Sequence, residues 1–311
     1  MRVSTSTITN MATSSMGNSY NAYLDIMNKI ASNKNFTKVS ENVVDATKVL
    51  KLNDQLAQME QYQSNIQAAT DEMNLAYDTL GAITDEISAI NALIVEASNA
   101  TTNPDGAKAI ATEIKQRVAT IVDKMNTKYL DNYIFSGTYT NETPYTSDGA
   151  GNYNYNGSSE KAGDRNLTIA ENTTFTYNFT GEEIFGKQDP NALDANGVQL
   201  DFFSQMQHLD ELLTSDVLDY DAIRAKLGVL DDATSKITQS QGMVSAKVTK
   251  LDSTKTINEN TILKLTENKT DLEEIDIVKA ATDLANAQTA LQASYAIGTR
   301  ILGSVSLLDY I

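Results

Sequence analysis

From Met59 to Ala97 the chain reads MEQYQSNIQAATDEMNLAYDTLGAITDEISAINALIVEA. Steps of seven from the first residue give Met59, Ile66, Met73, Leu80, Ile87 and Ile94; three residues on from each stand Tyr62, Ala69, Ala76, Ile83, Ile90 and Ala97. Alternating spacings of three and four put these twelve side chains on one stripe of an α-helix. Only Gly81 interrupts the helix formers. Ser40 reads as an N-cap and Asn99 as an end. The spacing therefore predicts one helix over 41–99, about 90 Å long at about 1.5 Å per residue.

The C-terminal half carries a matching pattern. Ile223, Leu230, Ile237, Val244, Leu251, Asn258, Leu265 and Leu272 repeat by seven. The set four residues on (Leu227, Thr234, Gln241, Val248, Lys255, Ile262 and Lys269) is mixed, so one edge of this seam is expected to be less buried. Asn258 in a core slot reads as a register-fixing residue. A third helix is expected over about 106–130, where Ile110, Ile114, Ile121, Met125 and Tyr129 recur at helical spacing after the turn Asn103-Pro104-Asp105-Gly106. So short a turn sends it back antiparallel to the first helix.

All three prolines, Pro104, Pro144 and Pro190, lie between residues 100 and 200, which leaves both flanks free to be long helices. From about 135 to 200 the texture changes to Asn, Gly, Thr and Tyr. Phe175, Tyr177 and Phe179 alternate with period two, as do Tyr153 with Tyr155 and Leu167 with Ile169. Asp148-Gly149, Asn156-Gly157 and Asn196-Gly197 are turn pairs. The fold class expected is mainly α with an inserted β domain: an elongated antiparallel helical bundle or coiled coil with its N- and C-terminal helices at the same end. Three zones follow: 1–40 plus 274–311 as a terminal helical assembly domain, 41–135 plus 201–273 as a helical rod, and 136–200 as the β insert.

The two ends have apolar stripes but little mass. Met16, Tyr20, Tyr23, Met27 and Ile30 follow helical spacing, as do Ile277, Leu284, Leu291 and Val305, with Ala280, Ala287, Ile301 and Leu308 beside them. A narrow helix alone is marginal, because ordering costs about 1–2 kcal/mol per residue. These stripes need partners, either each other or neighbouring subunits. Met27, Ile30, Leu291, Ile301 and Leu308 are the expected subunit-interface residues, and Leu291→Asp is expected to block assembly.

Composition narrows the function. The net charge of −17 disfavours nucleic acid. With no cysteine, disulfides, thiol catalysis and Cys-based zinc sites are excluded. No run approaches the roughly 20 apolar residues of a membrane span, and the polar start shows no cleavable signal peptide. His208 is the only histidine and lacks the companions of a metal or acid–base site, so a structural or surface role is expected. Asp148-Gly149-Ala150-Gly151-Asn152 lacks the alternate acidic ligands of a calcium loop and reads as a hairpin turn. No catalytic, cofactor-binding or metal residue is expected, and the chain reads as a non-enzyme.

Two distant motifs then carry a resemblance. Met1-Arg2-Val3-Ser4-Thr5 resembles the start of the flagellin superfamily. Ala290-Leu291-Gln292-Ala293-Ser294-Tyr295-Ala296-Ile297-Gly298, followed by Ser306-Leu307-Leu308-Asp309-Tyr310, is similar to its C-terminal signature. Tyr133-Ile134-Phe135-Ser136-Gly137 resembles the passage of the superfamily's hook–filament junction members, where helices give way to the β insert. At 40–46, where the family has paired aspartates with a proline, this chain has Ser40-Glu41-Asn42-Val43-Val44-Asp45-Ala46. The resemblance implies a structural flagellar subunit in an adapter ring between hook and filament. It implies as partners further copies of the chain, a hook-side junction protein, flagellin and an export chaperone. It also implies an extracellular location reached without a cleaved signal. Two alternatives stand beside it: a self-polymerising flagellin, and a surface-binding or adhesin module in the insert.

Overall fold

The computed structural model describes residues 5–99, 103–149, 151–157, 165–177 and 179–308, with the side chains of Thr5 and 302–308 outside that description. In chain order the elements are α1 (Thr5–Ser32), α2 (Val43–Ala97), α3 (Pro104–Met125), β1 (Lys128–Tyr129), β2 (Asn132–Tyr133), β3 (Tyr145–Ser147), β4 (Tyr153–Tyr155), β5 (Asn166–Ala170), β6 (Thr173–Thr176), α4 (Gly181–Phe185), α5 (Phe202–Thr214), α6 (Tyr220–Ala225), α7 (Leu227–Glu273) and α8 (Ile277–Leu308). The expected helical architecture with a β insert is the one observed. The chain divides into two compact units: residues 1–59 with 260–311, and residues 60–259.

In the unit of residues 60–259, the heptad stripe of α2 is the spine of the core. From Ile66 to Ala97 every predicted stripe residue is buried, and only Met59, just outside the unit, and Tyr62 stay half-buried. The amide of Gln63 donates to the Lys255 carbonyl (3.2 Å) and that of Gln241 to the Tyr77 carbonyl (3.4 Å). Fourteen residues forward along α2 thus answer fourteen back along α7, which makes the two helices antiparallel. Asn103 caps α3 by accepting from the Gly106 amide at 2.7 Å, with Pro104 at the first helical position. Arg117 pairs with Glu86 at 3.1 Å. The two residues are nearly equidistant from the turn, as an antiparallel hairpin of α2 and α3 requires.

Four details differ from the sequence reading. The N-cap of α2 is Asn42, which accepts from the Asp45 amide (3.1 Å) and donates to the Asp45 carboxylate (2.8 Å). Lys48 and Asn42 together hold the Asp45 carboxyl below its usual range. Ser40 lies two residues too early, and Glu41 instead accepts from the Thr37 amide. The third helix stops at Met125, because Tyr129 already belongs to the β1–β2 hairpin. The second buried edge of α7 is three residues on from the first, not four: Ala233 and Ser240 are buried, while Thr234 and Gln241 are half-buried. Small side chains there let the helix sit close. Asn258 is buried as expected, but its amide donates to the Ile169 carbonyl of β5 at 2.9 Å. Asn65 of α2 donates to the neighbouring Thr168 carbonyl at 2.8 Å. The buried polar residue therefore acts on the helix register through a hairpin, not by a direct contact between the helices.

The insert is built of short antiparallel hairpins, β3–β4 and β5–β6, after the β1–β2 hairpin. Gly149 takes φ 81° in the β3–β4 turn and Asn172 takes φ 56° in the β5–β6 turn. Apolar side chains of the insert pack into the helical cores. Ile169 and Phe175 join Ile66, Ala69 and Leu251, while Tyr145, Phe179 and Phe185 join the main cluster with Phe202 and Phe203. Asn126 at the end of α3 pairs with both backbone groups of Tyr145 at 2.9 Å, which starts β3. The Tyr155 hydroxyl donates to the Phe135 carbonyl (2.9 Å) and accepts from the Gly181 amide (3.1 Å); burial pushes its pKa up to about 12. A Cβ on Gly181 would sit 2.5 Å from the Tyr145 hydroxyl, so only glycine admits that ring.

His208 lies within α5, and its Nδ1 accepts from Lys226 Nζ at 2.9 Å. Lys226 is itself buried; it donates to Gln205 Oε1 at 2.6 Å and lies 3.9 Å from Asp194. The sole histidine is thus a packing partner of a buried lysine, in line with the structural role expected of it.

Candidate assembly surface

In the unit of residues 1–59 and 260–311, α1 and α8 pair antiparallel. Ser19 Oγ lies 2.8 Å from Ser294 Oγ, and the backbone of Gly298 lies against Met16. Three residues back along α1 thus correspond to four forward along α8. The less exposed residues of α1 are Thr9, Ala12, Met16, Ser19, Tyr23, Ile26 and Ile30; those of α8 are Ala280, Leu284, Ala287, Leu291, Ser294, Gly298 and Ile301. Both sets step by three and four, as a coiled-coil seam does. The seam is rich in Ala, Ser and Gly, so the backbones approach closely. A Cβ on Gly298 would stand 2.5 Å from Met16 Sδ. Beyond α1 the chain turns at Asn33 (φ 54°), Lys34 pairs with Glu273, and the Asn35 amide donates to the Glu273 carbonyl at 2.7 Å. Phe36, Ala46, Val49 and Leu272 form a small core below this turn.

The seam uses only one face of each helix. On α1, Met11 remains 67% exposed, and Ile8, Tyr20, Leu24 and Met27 are exposed too; on α8 so are Ile277, Val278, Tyr295 and Ile297. Charge is scarce on both helices. The 28 residues of α1 contain only Asp25 and Lys29, which pair with each other at 3.0 Å. The 32 residues of α8 contain only Lys279, Asp283 and Arg300. The 47 residues of α7 carry thirteen charged side chains. A water-facing helix is ordinarily laced with charge, so α1 and α8 have the composition of helices covered on both faces.

The sequence-predicted interface residues fall in different places. Met27 is on the exposed face, whereas Ile30, Leu291 and Ile301 are half-buried in the α1–α8 seam. The side chain of Leu308 lies outside the described residues. The predicted stripe of α1 mixes two faces: Met16, Tyr23 and Ile30 point into the seam, while Tyr20 and Met27 point away from it. Met11, Leu24 and Ile297 are further exposed apolar residues on these helices that the period does not single out. Their signal was the lack of charge along the helices, not the apolar period. Among the described residues, no group of three or more His, Asp or Glu side chains is placed to hold a metal ion. Nor, among the described residues, is any helix long and apolar enough to cross a membrane.

Known proteins share this arrangement. Residues 3–140 match the bacterial flagellin N-terminal helical region, and residues 227–311 match the bacterial flagellin C-terminal helical region. The chain belongs to the flagellin family. Within that family, two relatives align along nearly the whole chain. The flagellar hook-associated protein 3 of Escherichia coli K12 is 23% identical over 315 residues, covering 97% of this chain and 98% of the relative. That of Salmonella typhimurium LT2 is 22% identical over 317 residues, with the same coverage. Solved structures share the fold of this flagellin-family chain. The hook-associated protein-3 of Legionella pneumophila superposes with a TM-score of 0.61 at 16% identity, covering 72% of this chain and 98% of its own. The FlgL of Bacillus cereus gives 0.56 at 23% identity, covering 71% and 99%.

Proposed function

We propose that this chain is a structural subunit of the bacterial flagellum, an adapter in the junction between hook and filament. The observation that carries this reading is the exposed, nearly uncharged apolar face of α1 and α8, in a chain that aligns end to end with hook-associated protein 3 of two bacteria. A pair of helices bearing such a face on each member can be covered by neighbouring copies around a ring. Met27 on that face supplies an interface anchor, Ile30, Leu291 and Ile301 hold together the helix pair that presents it, and Leu308 on α8 is a further candidate contact. The hook-side junction protein, flagellin and an export chaperone are the further partners in this reading. The subunit works outside the cell, exported without a cleaved signal. Its role is architectural and calls for no catalysis or cofactor.

The test is a seeded assembly assay. The purified chain is mixed with hook ends, flagellin is then added, and the products are imaged by electron microscopy. Capping of hook ends followed by filament growth supports the adapter. Long filaments of this chain alone would make it a filament subunit and sink the junction reading.

A further inference from the structure

A cleft of about 540 Å³ opens between the β3–β4 hairpin, the 188–199 loop and the first turns of α5. It lies within the range of small-ligand sites, roughly 300–1,000 Å³. Tyr153, Asn154, Gln199, Ser204 and Gln207 line it, and their side-chain polar atoms have no hydrogen-bond partner among the described residues. Charge is spoken for. The Asp148 carboxylate accepts from the Asn152 amide (3.1 Å) and side chain (2.6 Å). The cleft thus offers a set of neutral groups able both to donate and to accept.

The outer edge of β4 is closed to a peptide strand. Gln188 accepts from the Tyr155 amide at 3.0 Å and donates to the Tyr153 carbonyl at 2.6 Å, which uses the backbone groups that strand addition would need. What remains on offer is side-chain amides and hydroxyls, a match for the hydroxyls of a sugar. A second, smaller hollow of about 50 Å³ shares Tyr153, Phe203 and Gln207 with the cleft and is walled by Ile114, Val118 and Met206. Asp210 at its rim accepts from Lys115 through Oδ2 at 2.7 Å. An acetamido group fits such a hollow, with its methyl against the apolar wall.

We propose that this cleft binds a neutral saccharide containing an N-acetylhexosamine, with the acetamido group in the smaller hollow. The proposal concerns only residues 60–259 and does not depend on the assembly role. The test is saturation-transfer difference NMR on the full chain with two probes, N,N′-diacetylchitobiose and cellobiose, which differ in the acetamido group. Transfer to the acetylated sugar, strongest at its methyl, is expected, with cellobiose about tenfold weaker or more. Gln207→Ala and Asn154→Ala, each with an unchanged circular dichroism spectrum, should abolish it. Absence of transfer to the acetylated sugar, equal transfer to both sugars, or transfer that survives both substitutions would each overturn the proposal.

Discussion

The Arg165 guanidinium donates to both carboxylate oxygens of Glu72, one of them at 3.1 Å, and to the Tyr177 hydroxyl at 2.8 Å. Glu72 is only 4% exposed, and burial, partly countered by Arg165, raises its carboxyl pKa. The pair ties the foot of the β5–β6 hairpin to α2. Removal of one partner strands the other, so Arg165→Leu should destabilise the chain by about 3 kcal/mol at neutral pH. The loss should shrink as the pH falls through the raised pKa of Glu72, because the stranded acid then takes up a proton. Chemical denaturation of Arg165→Leu and of the double variant Glu72→Leu/Arg165→Leu checks this; the double variant should recover most of the loss.

Gly298 and Met16 form a close approach of α1 and α8. Gly298→Val forces a branched side chain against the thioether and should spread the pair, at a cost of about 1–3 kcal/mol for overpacking. Met16→Ala in the same chain should restore the lost ground. Hydrogen exchange along α1 is the readout: protection falls in the single variant and returns in the double.

Gly81 sits mid-helix in α2, and a Cβ there would meet nothing nearer than the Gln241 side-chain nitrogen at 3.6 Å. Gly81→Ala should therefore stabilise by about 0.5–1 kcal/mol through helix propensity. A thermal melt that shows no gain would mean the glycine has a role beyond the helix.

Lys226 carries its charge in a buried site. Burial lowers its pKa, and Asp194 pulls it part of the way back. The folded chain thus sheds this proton at a lower pH than the unfolded chain. Its contribution to stability rises as pH climbs through the window below the ordinary lysine value of about 10.4. Tyr145 and Tyr155, raised by burial, act in the opposite sense above about pH 10. The difference between the parent and Lys226→Met isolates the lysine: on moving from about pH 8 to pH 10 the parent should gain on the variant.

Much of this was legible in the sequence because large apolar residues at heptad spacing leave few alternatives; the stripe from Ile66 to Ala97 is the example. Ala233 and Ser240 were not legible. A small buried residue looks like any surface alanine or serine until the facing helix is known. The two faces of α1 were merged for a related reason. When apolar residues surround a helix, period alone cannot say which of them meets the partner in the same chain. The polar cleft could not have been read at all, because Asn154 is far in sequence from Gln199 and Gln207 and meets them only through the β3–β4 turn and the loop into α5.

Asn65 and Asn258 hold consecutive carbonyls of β5 from two antiparallel helices, at 2.8 and 2.9 Å. Sliding α7 along α2 by one residue is a displacement of about 1.5 Å. One grip would have to stretch well past the roughly 3.2 Å limit of a sound hydrogen bond. The hairpin therefore acts as a brace against axial slip. Bending leaves both bonds intact, while shear breaks one, so this part of the chain should be compliant in flexure and stiff in sliding.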